Sequence, residues 1–483
     1  MSDNTYKEPN KVIADLIGAP KSPLLSISHS GKFGLLMTSH TFPPISELTR
    51  PTLGLAGIRF NPETNGPGQL SLVEKVTLLH IETKKESQID LPEQAFDFCW
   101  APSEDIVYFL SENEKTVSLW SLNAKSKKAK KLTSGLNCLF GRPFDFSPDG
   151  RLLVKLIPGK RGERPKKACV PTGPIVRFAT GVEASVRTYR DLLTDEHSTR
   201  LFAYYAASQL AFLCPHTKTL SLVRQPGLYT RCKVSPNLHY MLVETLSEPF
   251  SYLVPWNRFP TTVEIWGRMS TTHKLDERPL TDNIPIKGVH RGKRHIHWLP
   301  NEDARLCYVE ALDEGDPKKE TPHRDRLVLS TPEGKEEELH RLPNRFSHII
   351  WLDKTDKCLL AEYDWKRRWL TTHLYDYKNK TIEKTLFDRA IHDLYNDPGL
   401  VITKRTKTGG KVARVLNDKL LFHGQGATPE GNKPFIAQLS LTDYSWTEVY
   451  RSSSPPHREF HSFLDEKTVI TTTQAQQEAL NYE

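Results

Sequence analysis

No stretch of this chain approaches the roughly 18 consecutive apolar residues that a membrane-spanning helix needs. The opening MSDNTYKEPNKVIADLIGAP carries Asp3, Glu8 and Asp15 and has no apolar core, so it reads as neither a secretory signal nor an Arg-rich, acid-poor transit peptide. Cysteine is sparse and odd in number, 7 among 483 residues, and the closest pair, Cys214 and Cys232, is separated by 17 residues. A CxxC motif and a compact disulfide framework are both excluded, and a reducing compartment, by default the cytoplasm, is expected. Catalytic signatures are missing too. No glycine is followed two positions later by serine, none of the 18 histidines is followed by glutamate, and no GxxxxGK[ST] loop occurs. The serine-hydrolase elbow, the zincin pair and the phosphate-cradling loop are thereby excluded, and no cofactor is expected.

Charge of one sign is not in great excess either. Lys and Arg number 66 against 58 Asp and Glu, a net +8, a balance that favours solubility and does not demand nucleic acid or a membrane as partner. The densest basic run, Lys125, Lys127, Lys128, Lys130 and Lys131, has no interleaved aromatics for stacking bases. It is expected to be a solvated hairpin loop.

What the sequence does contain is a recurring unit: a short apolar strand, a polar turn and a second, strongly apolar strand. FDFCWAPSEDIVYFLS from Phe96 shows it best, and LLSISHSGKFGLLMTS from Leu24, FDFSPDGRLLVKLI from Phe144, CKVSPNLHYMLVET from Cys232 and IHWLPNEDARLCYVEA from Ile296 repeat it. Weaker copies begin at Ile349 and Phe460. Turn chemistry and strand composition make each a hairpin. Further strand-like segments between them, such as Thr116 to Leu122 and Trp369 to Tyr377, raise the unit to about four strands. Four-stranded units recurring every 40 residues or more signify a β-propeller, whose blades bury one another's faces around a channel.

The expected fold is therefore all-β, a propeller of seven or eight four-stranded blades. Its blades open near residues 24, 96, 144, 232, 296, 349, a degenerate site near 398, and 460. Residues 1–23 form an N-terminal arm and 24–483 the propeller. The third repeat is swollen by an insertion at about 155–212, a Pro- and Arg-rich loop leading into a helix between Val186 and Ser208. The last blade is expected to be incomplete, either closed by the N-terminal segment or truncated.

His295 and His297 in RHIHW would face one side of a strand, but no Cys or carboxylate lies near them in sequence, so they read as ordinary strand histidines and no metal site is expected. Asp145 with Asp149 and Asp353 with Asp356 fall in or beside hairpin turns, where Asp caps backbone N–H groups. Trp100, Trp298 and Trp351 occupy equivalent places in three repeats and are expected to form a ladder between blades. Read this way, the residues specify a fold and no reaction.

Specific strings nevertheless resemble a known family. PPISELTRPTLGLAGIR, RGERPKKACVPTGP, VRTYRDLLTDEHSTRLFAYYAASQL, EPFSYLVPWNRFPTTVEIW, LFDRAIHDLYNDPG and GATPEGNKPF are similar to the N-terminal part of chloroplast-type glutamyl endopeptidases, in the prolyl oligopeptidase family of serine peptidases. The resemblance implies a propeller preceding a C-terminal α/β-hydrolase domain with a Ser, Asp and His triad. No such domain is found in this sequence, so no catalytic residue is carried over and the chain alone is expected to be inactive. What the resemblance implies is a propeller that gates peptide substrates. A glutamate side chain would call for arginine, and Arg161, Arg164, Arg187 and Arg258 lie in family-like strings as candidate cavity residues. The bland alternative is that each pairs with loop carboxylates such as Glu163, Asp191 and Glu264, or sits in solvent. A stand-alone scaffold binding a peptide or protein partner is the other functional reading.

Overall fold

The computed structural model describes residues 9–168, 173, 188–267, 271–453 and 455–483. Within them, short segments rich in Leu, Val, Ile and aromatic residues pair antiparallel with their sequence neighbours. Ile106–Glu112, for example, sets Val107 against both Trp100 and Leu122. Eight sheets follow one another, opening with Leu24–Ile27, Ala95–Trp100, Phe144–Phe146, Tyr229–Val234, Arg294–Trp298, Arg345–Trp351, Leu400–Val401 and His457–Phe463. The chain is an eight-bladed β-propeller. The site near 398 looks degenerate in sequence because the opening strand of blade 7 is only two residues long.

Blades 1 to 6 each have four strands, blade 7 adds a fifth short strand to a four-strand path, and blade 8 has three. All three strands of blade 8 come from the C-terminal segment, and the first strand of the chain lies in blade 1. Among the described residues no strand is shared across the closure, and side-chain contacts cross it. Tyr482 Oη accepts from Leu25 N and donates to Pro23 O, both at 3.0 Å.

A blade has two apolar faces and must bury both. Separate clusters of buried side chains fill the gaps between blades 1 and 2, 2 and 3, 3 and 4, 4 and 5, 5 and 6, and 6 and 7. No such cluster joins blade 8 to either neighbour among the described residues. The expected tryptophan ladder has a specific form. Trp100 Nε1 donates to Ser26 O at 3.1 Å and Trp298 Nε1 to Lys233 O at 3.0 Å. Trp351 Nε1 donates to His297 Nε2 at 3.0 Å. Each indole thus ties its blade to the opening strand of the blade before.

A second tie is ionic. Asp313 and Asp325, both 0% exposed, hold Arg294 and Arg345 at the starts of two successive opening strands. Arg294 Nη2 and Arg345 Nη1 meet Asp325 Oδ1 at 2.5 and 2.6 Å. Asp313 receives Arg324 at 2.8 Å and also Arg345.

The helix of the third-blade insertion spans Glu196–Ala206, starting later than the sequence pattern suggests. Asp195 accepts from Ser198 N at 2.7 Å while Ser198 Oγ accepts from Asp195 N at 3.0 Å, a reciprocal cap that fixes the first turn there. The basic run divides: Lys125 and Lys127 occupy a turn, whereas Lys128, Lys130 and Lys131 lie on the outer edge strand of blade 2. Cations on an exposed edge discourage pairing with another chain.

Two outcomes are expected. Amide hydrogen exchange should be fastest among the blades in His457–Tyr482, because low local burial lowers the free energy of opening; protection of Val469–Ala475 equal to that of Ile106–Glu112 would contradict this. Replacing Asp325 by Ala leaves Arg294 buried without its carboxylate, while Arg345 keeps Asp313, and should cost about 3–5 kcal/mol in chemical denaturation. A loss below about 1 kcal/mol, the range of an exposed pair, would show that the cluster is not a tie.

Candidate functional site

The opening strands surround the propeller axis, and two cavities lie between them. One, of about 520 Å³, is lined by the opening strands of blades 4, 5 and 6, and the other, of about 550 Å³, by those of blades 1, 2, 7 and 8. Between them lies an excursion from blade 7, the hairpin of Thr403–Arg405 and Lys411–Ala413, whose residues line both cavities. Ala413 pairs with Leu352 of blade 6 in a parallel bridge and accepts a hydrogen bond from Asp353 N at 3.0 Å. At the tip, Gly409 has φ +79°, a left-handed conformation that glycine adopts without strain. Sequence reasoning nominates none of these residues, although Gly409-Gly410 between two short strands is a hairpin signal.

His295 and His297 both line the first cavity, yet they do not alternate as a regular strand would require. The register shifts between Arg294 and His297, and His295 has φ +54°. The His295 ring packs on Phe346 and the His297 ring on Trp351. His297 Nδ1 donates to His295 O at 2.7 Å and Nε2 accepts from the Trp351 indole. A carbonyl can only accept and an indole N–H can only donate, so these partners select the neutral Nδ1–H tautomer. Burial above all lowers the His297 pKa, from 6.5 to about 4. Among the described residues no group of three or more His, Cys, Asp or Glu is placed to hold a metal ion.

The carboxylates assigned to turns divide in the same way. Asp149 does serve its turn, accepting from Arg151 N at 3.2 Å. Asp145 and Asp353 instead neutralise Lys233 and Lys404, each at 2.5 Å.

Arg161, Arg164 and Arg258 lie on the face where the opening strands begin, among the insertions of blades 1, 3 and 4. A buried cluster separate from the blades, built on Leu55, Phe60, Phe202, Tyr205 and Phe259, knits these insertions together. Arg161 stacks on Tyr204 and Tyr205, with centroid distances of 3.8 and 4.8 Å. It donates from Nε to Tyr204 O at 2.9 Å and from Nη1 to Asn65 Oδ1 at 3.0 Å, a cation at the C-terminal end of the helix where the dipole favours it. Its Nη2 is buried without a hydrogen-bond partner, and burial lowers its pKa. Arg164 is exposed, 5.7 Å from the Tyr205 ring. Arg258 is 5.8 Å from the Tyr189 ring and donates to Thr281 O at 3.3 Å. Arg187 lies outside the described residues.

The carboxylates expected as their partners are otherwise engaged. Asp191 holds Arg59 at 2.8 Å, Glu163 lies 3.9 Å from Lys166, and Glu264 accepts from Trp266 Nε1 at 2.8 Å. Among the described residues, no carboxylate forms an ion pair with Arg161, Arg164 or Arg258.

This face is also the apolar one. The helix Lys11–Ile17 buries none of its residues, and Leu16 is 77% exposed. Thr41 Oγ1 donates to Ala19 O at 2.9 Å, which holds that helix beside exposed Phe42, Ile45 and Leu48. Exposed Leu253, Ile286, Leu394 and Tyr395 lie in connections at the same end of other blades. The turns at the opposite end, between first and second and between third and fourth strands, hold no exposed large apolar residue among those described.

No protein-family model matches the chain. Over 487 aligned positions it is 33% identical to a protein named probable glutamyl endopeptidase, chloroplastic, from Oryza sativa subsp. japonica, covering 94% of this chain and 51% of that protein. A protein of the same name from Arabidopsis thaliana is 32% identical, covering 94% and 50%. The chain therefore spans about half the length of these curated relatives. Among solved structures, a prolyl endopeptidase is similar with a TM-score of 0.46 and 9% identity, over 95% of this chain and 54% of that one.

His297 carries a pH dependence of known sign. Its folded pKa, about 4, lies below the ordinary 6.5, so as pH falls through this window the unfolded chain takes up the proton first and stability drops. A His297→Gln variant keeps an acceptor for Trp351. It should lose less of its melting temperature than the parent between pH 7 and pH 4.5, by calorimetry; parallel losses would show that His297 is not the group responsible.

Proposed function

Because the chain is a homologue of the glutamyl endopeptidases over about half their length, we propose that it is the non-catalytic, substrate-gating propeller portion of a serine endopeptidase. Peptide-bond hydrolysis belongs to an α/β-hydrolase domain that carries the Ser, Asp and His triad and docks on the propeller. One observation carries the reading: exposed large apolar side chains gather at the end of the propeller where the opening strands begin, and a patch of that kind marks an interface. The remaining half of the relatives' length supplies the occupant. A propeller so docked limits access to peptides that fit past its insertions.

Arg161, Arg164 and Arg258 face the same side and are carboxylate receptors in this proposal. Arg161 has an uncommitted Nη2, and Arg164 presents its guanidinium to solvent. Arginines without acidic partners suit a glutamate side chain, whose two oxygens match the planar fork. Cytoplasmic residence is part of the same proposal, resting on the scarcity of cysteines and on the free thiols of the six described ones. Among the described residues, no helix is long and apolar enough to cross a membrane.

The purified chain should neither hydrolyse Glu-containing peptides nor be labelled by a fluorophosphonate, and turnover by pure protein would place a nucleophile within it. Immunoprecipitation of the propeller from its source cells should recover a fluorophosphonate-reactive serine hydrolase, on the same polypeptide or a separate one. Leu16→Glu with Ile45→Glu should weaken that association where the two are separate chains. Recovery of an unlabelled, monodisperse propeller by itself would favour the stand-alone scaffold.

A further inference from the structure

The hairpin between the two channel cavities has an unusual composition. The segment KRTKTGGKVAR, residues 404 to 414, carries Lys404, Arg405, Lys407, Lys411 and Arg414 and no acidic residue. In a chain with 66 basic and 58 acidic residues, such a segment would ordinarily sit in solvent. Here it spans the channel. Arg405 reaches Cys99 of blade 2, with Nη1 3.3 Å from Sγ. Gly409 lies against Phe146 of blade 3, where a Cβ would come within 3.6 Å of its ring. Arg414 stacks on Phe463 of blade 8 at 4.5 Å.

The channel walls share this charge. Neither cavity is lined by a single Asp or Glu among the described residues, whereas Arg142, Arg231, Lys233, Lys404, Arg405, Lys411 and Arg414 all line one or the other. Carboxylates set behind the walls neutralise four of these seven. Asp97 holds Arg142, Glu244 holds Arg231, Asp145 holds Lys233 and Asp353 holds Lys404. Arg405, Lys411 and Arg414, all on the hairpin, have no ion pair with a side-chain carboxylate among the described residues. The Arg414 guanidinium donates to the backbone oxygen of Asp465, at 3.4 Å; burial above all lowers its pKa, against the opposing pull of the Glu466, Asp353 and Asp465 carboxylates. A partly desolvated guanidinium with no carboxylate in ion-pair contact is costly to the fold and is relieved by a bound anion. Cations facing one another across low-dielectric walls also raise the local concentration of anions.

We propose that the Thr403–Ala413 hairpin, with Arg414 at its base, is an anion receptor built across the propeller channel, and that its ligand is an acidic peptide segment whose side-chain carboxylates bridge Arg405, Arg414 and Lys411. Positive groups in both cavities favour an extended polyanion over a single small ion. The proposal deepens the peptidase reading by giving the channel a substrate class. It concerns a different site from the arginines of the insertion face, and its test needs no hydrolase.

The test is binding of fluorescein-labelled oligoglutamate to the purified 483-residue chain, followed by anisotropy, with oligoglutamine of equal length as the comparison. Oligoglutamate should bind at least about tenfold more tightly, and its affinity should fall as salt rises, as charge-assisted contacts require. The Arg405→Gln, Arg414→Gln double variant should weaken oligoglutamate by about tenfold or more, while Lys125→Gln with Lys127→Gln, in the outer turn of blade 2, should leave it unchanged. If the double variant does not fold, footprinting of the parent protein decides the matter: saturating oligoglutamate should protect Lys411 from acetylation and leave Lys125 reactive. Equal affinity for the two peptides, or unchanged Lys411 reactivity, would overturn the proposal. So would displacement of oligoglutamate by inorganic phosphate at the peptide's own concentration, which would assign the cations to a small-oxyanion site.

Discussion

The constraint on which this structure rests is that a four-stranded sheet with two apolar faces cannot be stable unless both are covered. Each blade from 2 to 6 satisfies it twice, and the clusters between neighbours alternate sides in step with the period of two along each strand. Phe109 and Val107 face blade 1, whereas Tyr108 and Leu110 face blade 3. The ring follows from that alternation, because each blade offers its second face to the next. Closure is also where the constraint is least satisfied. The seams of blade 8 rely on contacts such as the Tyr482 hydroxyl and the His423–Phe460 ring pair, with Ile470 its one buried large apolar residue.

The fold was legible in sequence for the same physical reason that it is stable. Opening strands read clearly wherever the turn after them is polar and the next strand is fully buried, as in Phe96 to Ser111. Blade 7 was nearly invisible because Leu400–Val401 gives periodicity only two residues to work with. The site was far less legible. Sequence cannot tell that Asp353 reaches Lys404 across two blades, or that Asp191 is taken by Arg59 and so leaves other arginines without a carboxylate. Such assignments depend on pairs more than 40 positions apart, which only the ring brings together. The hairpin cations were readable as composition but not as a site, since nothing local shows that a Gly-Gly turn points toward an axis.

The two ends of the propeller are specialised by the same economy of connections. Outside blade 7, turns between first and second strands are short and polar, and they leave little room for variation. Connections between second and third strands have grown into the insertions of blades 1, 3 and 4, which bury a cluster of their own around Phe202 and Tyr205 and expose the rest of their apolar surface. Loops carry variation because the scaffold beneath them is rigid. Apolar exposure and unpaired arginines therefore fall on one end together.

Why the channel hairpin arises from blade 7 follows from geometry. An innermost strand has the axis on its free side, so an excursion leaving it enters the channel and nowhere else. In blades 1, 2, 4, 5 and 6 that strand is fixed by its neighbours, through indole N–H groups or through the Asp313 and Asp325 cluster. Blade 7 gives up most of its innermost strand: after Leu400–Val401 only the hydrogen bonds Ile402 N to Leu421 O and Arg414 N to Ile402 O mark where it would continue. The residues released form the hairpin, and the ladder partners they would have had are replaced by the bridge to Leu352 and the ion pair to Asp353. Lys404 is neutralised by Asp353, but Arg405, Lys411 and Arg414 line walls that are themselves basic and have no carboxylate in ion-pair contact among the described residues. Val412 and Ala413 anchor the hairpin in the cores on either side of blade 6, and an anion that hairpin and walls both recognise accounts for the cations this anchoring leaves without carboxylates.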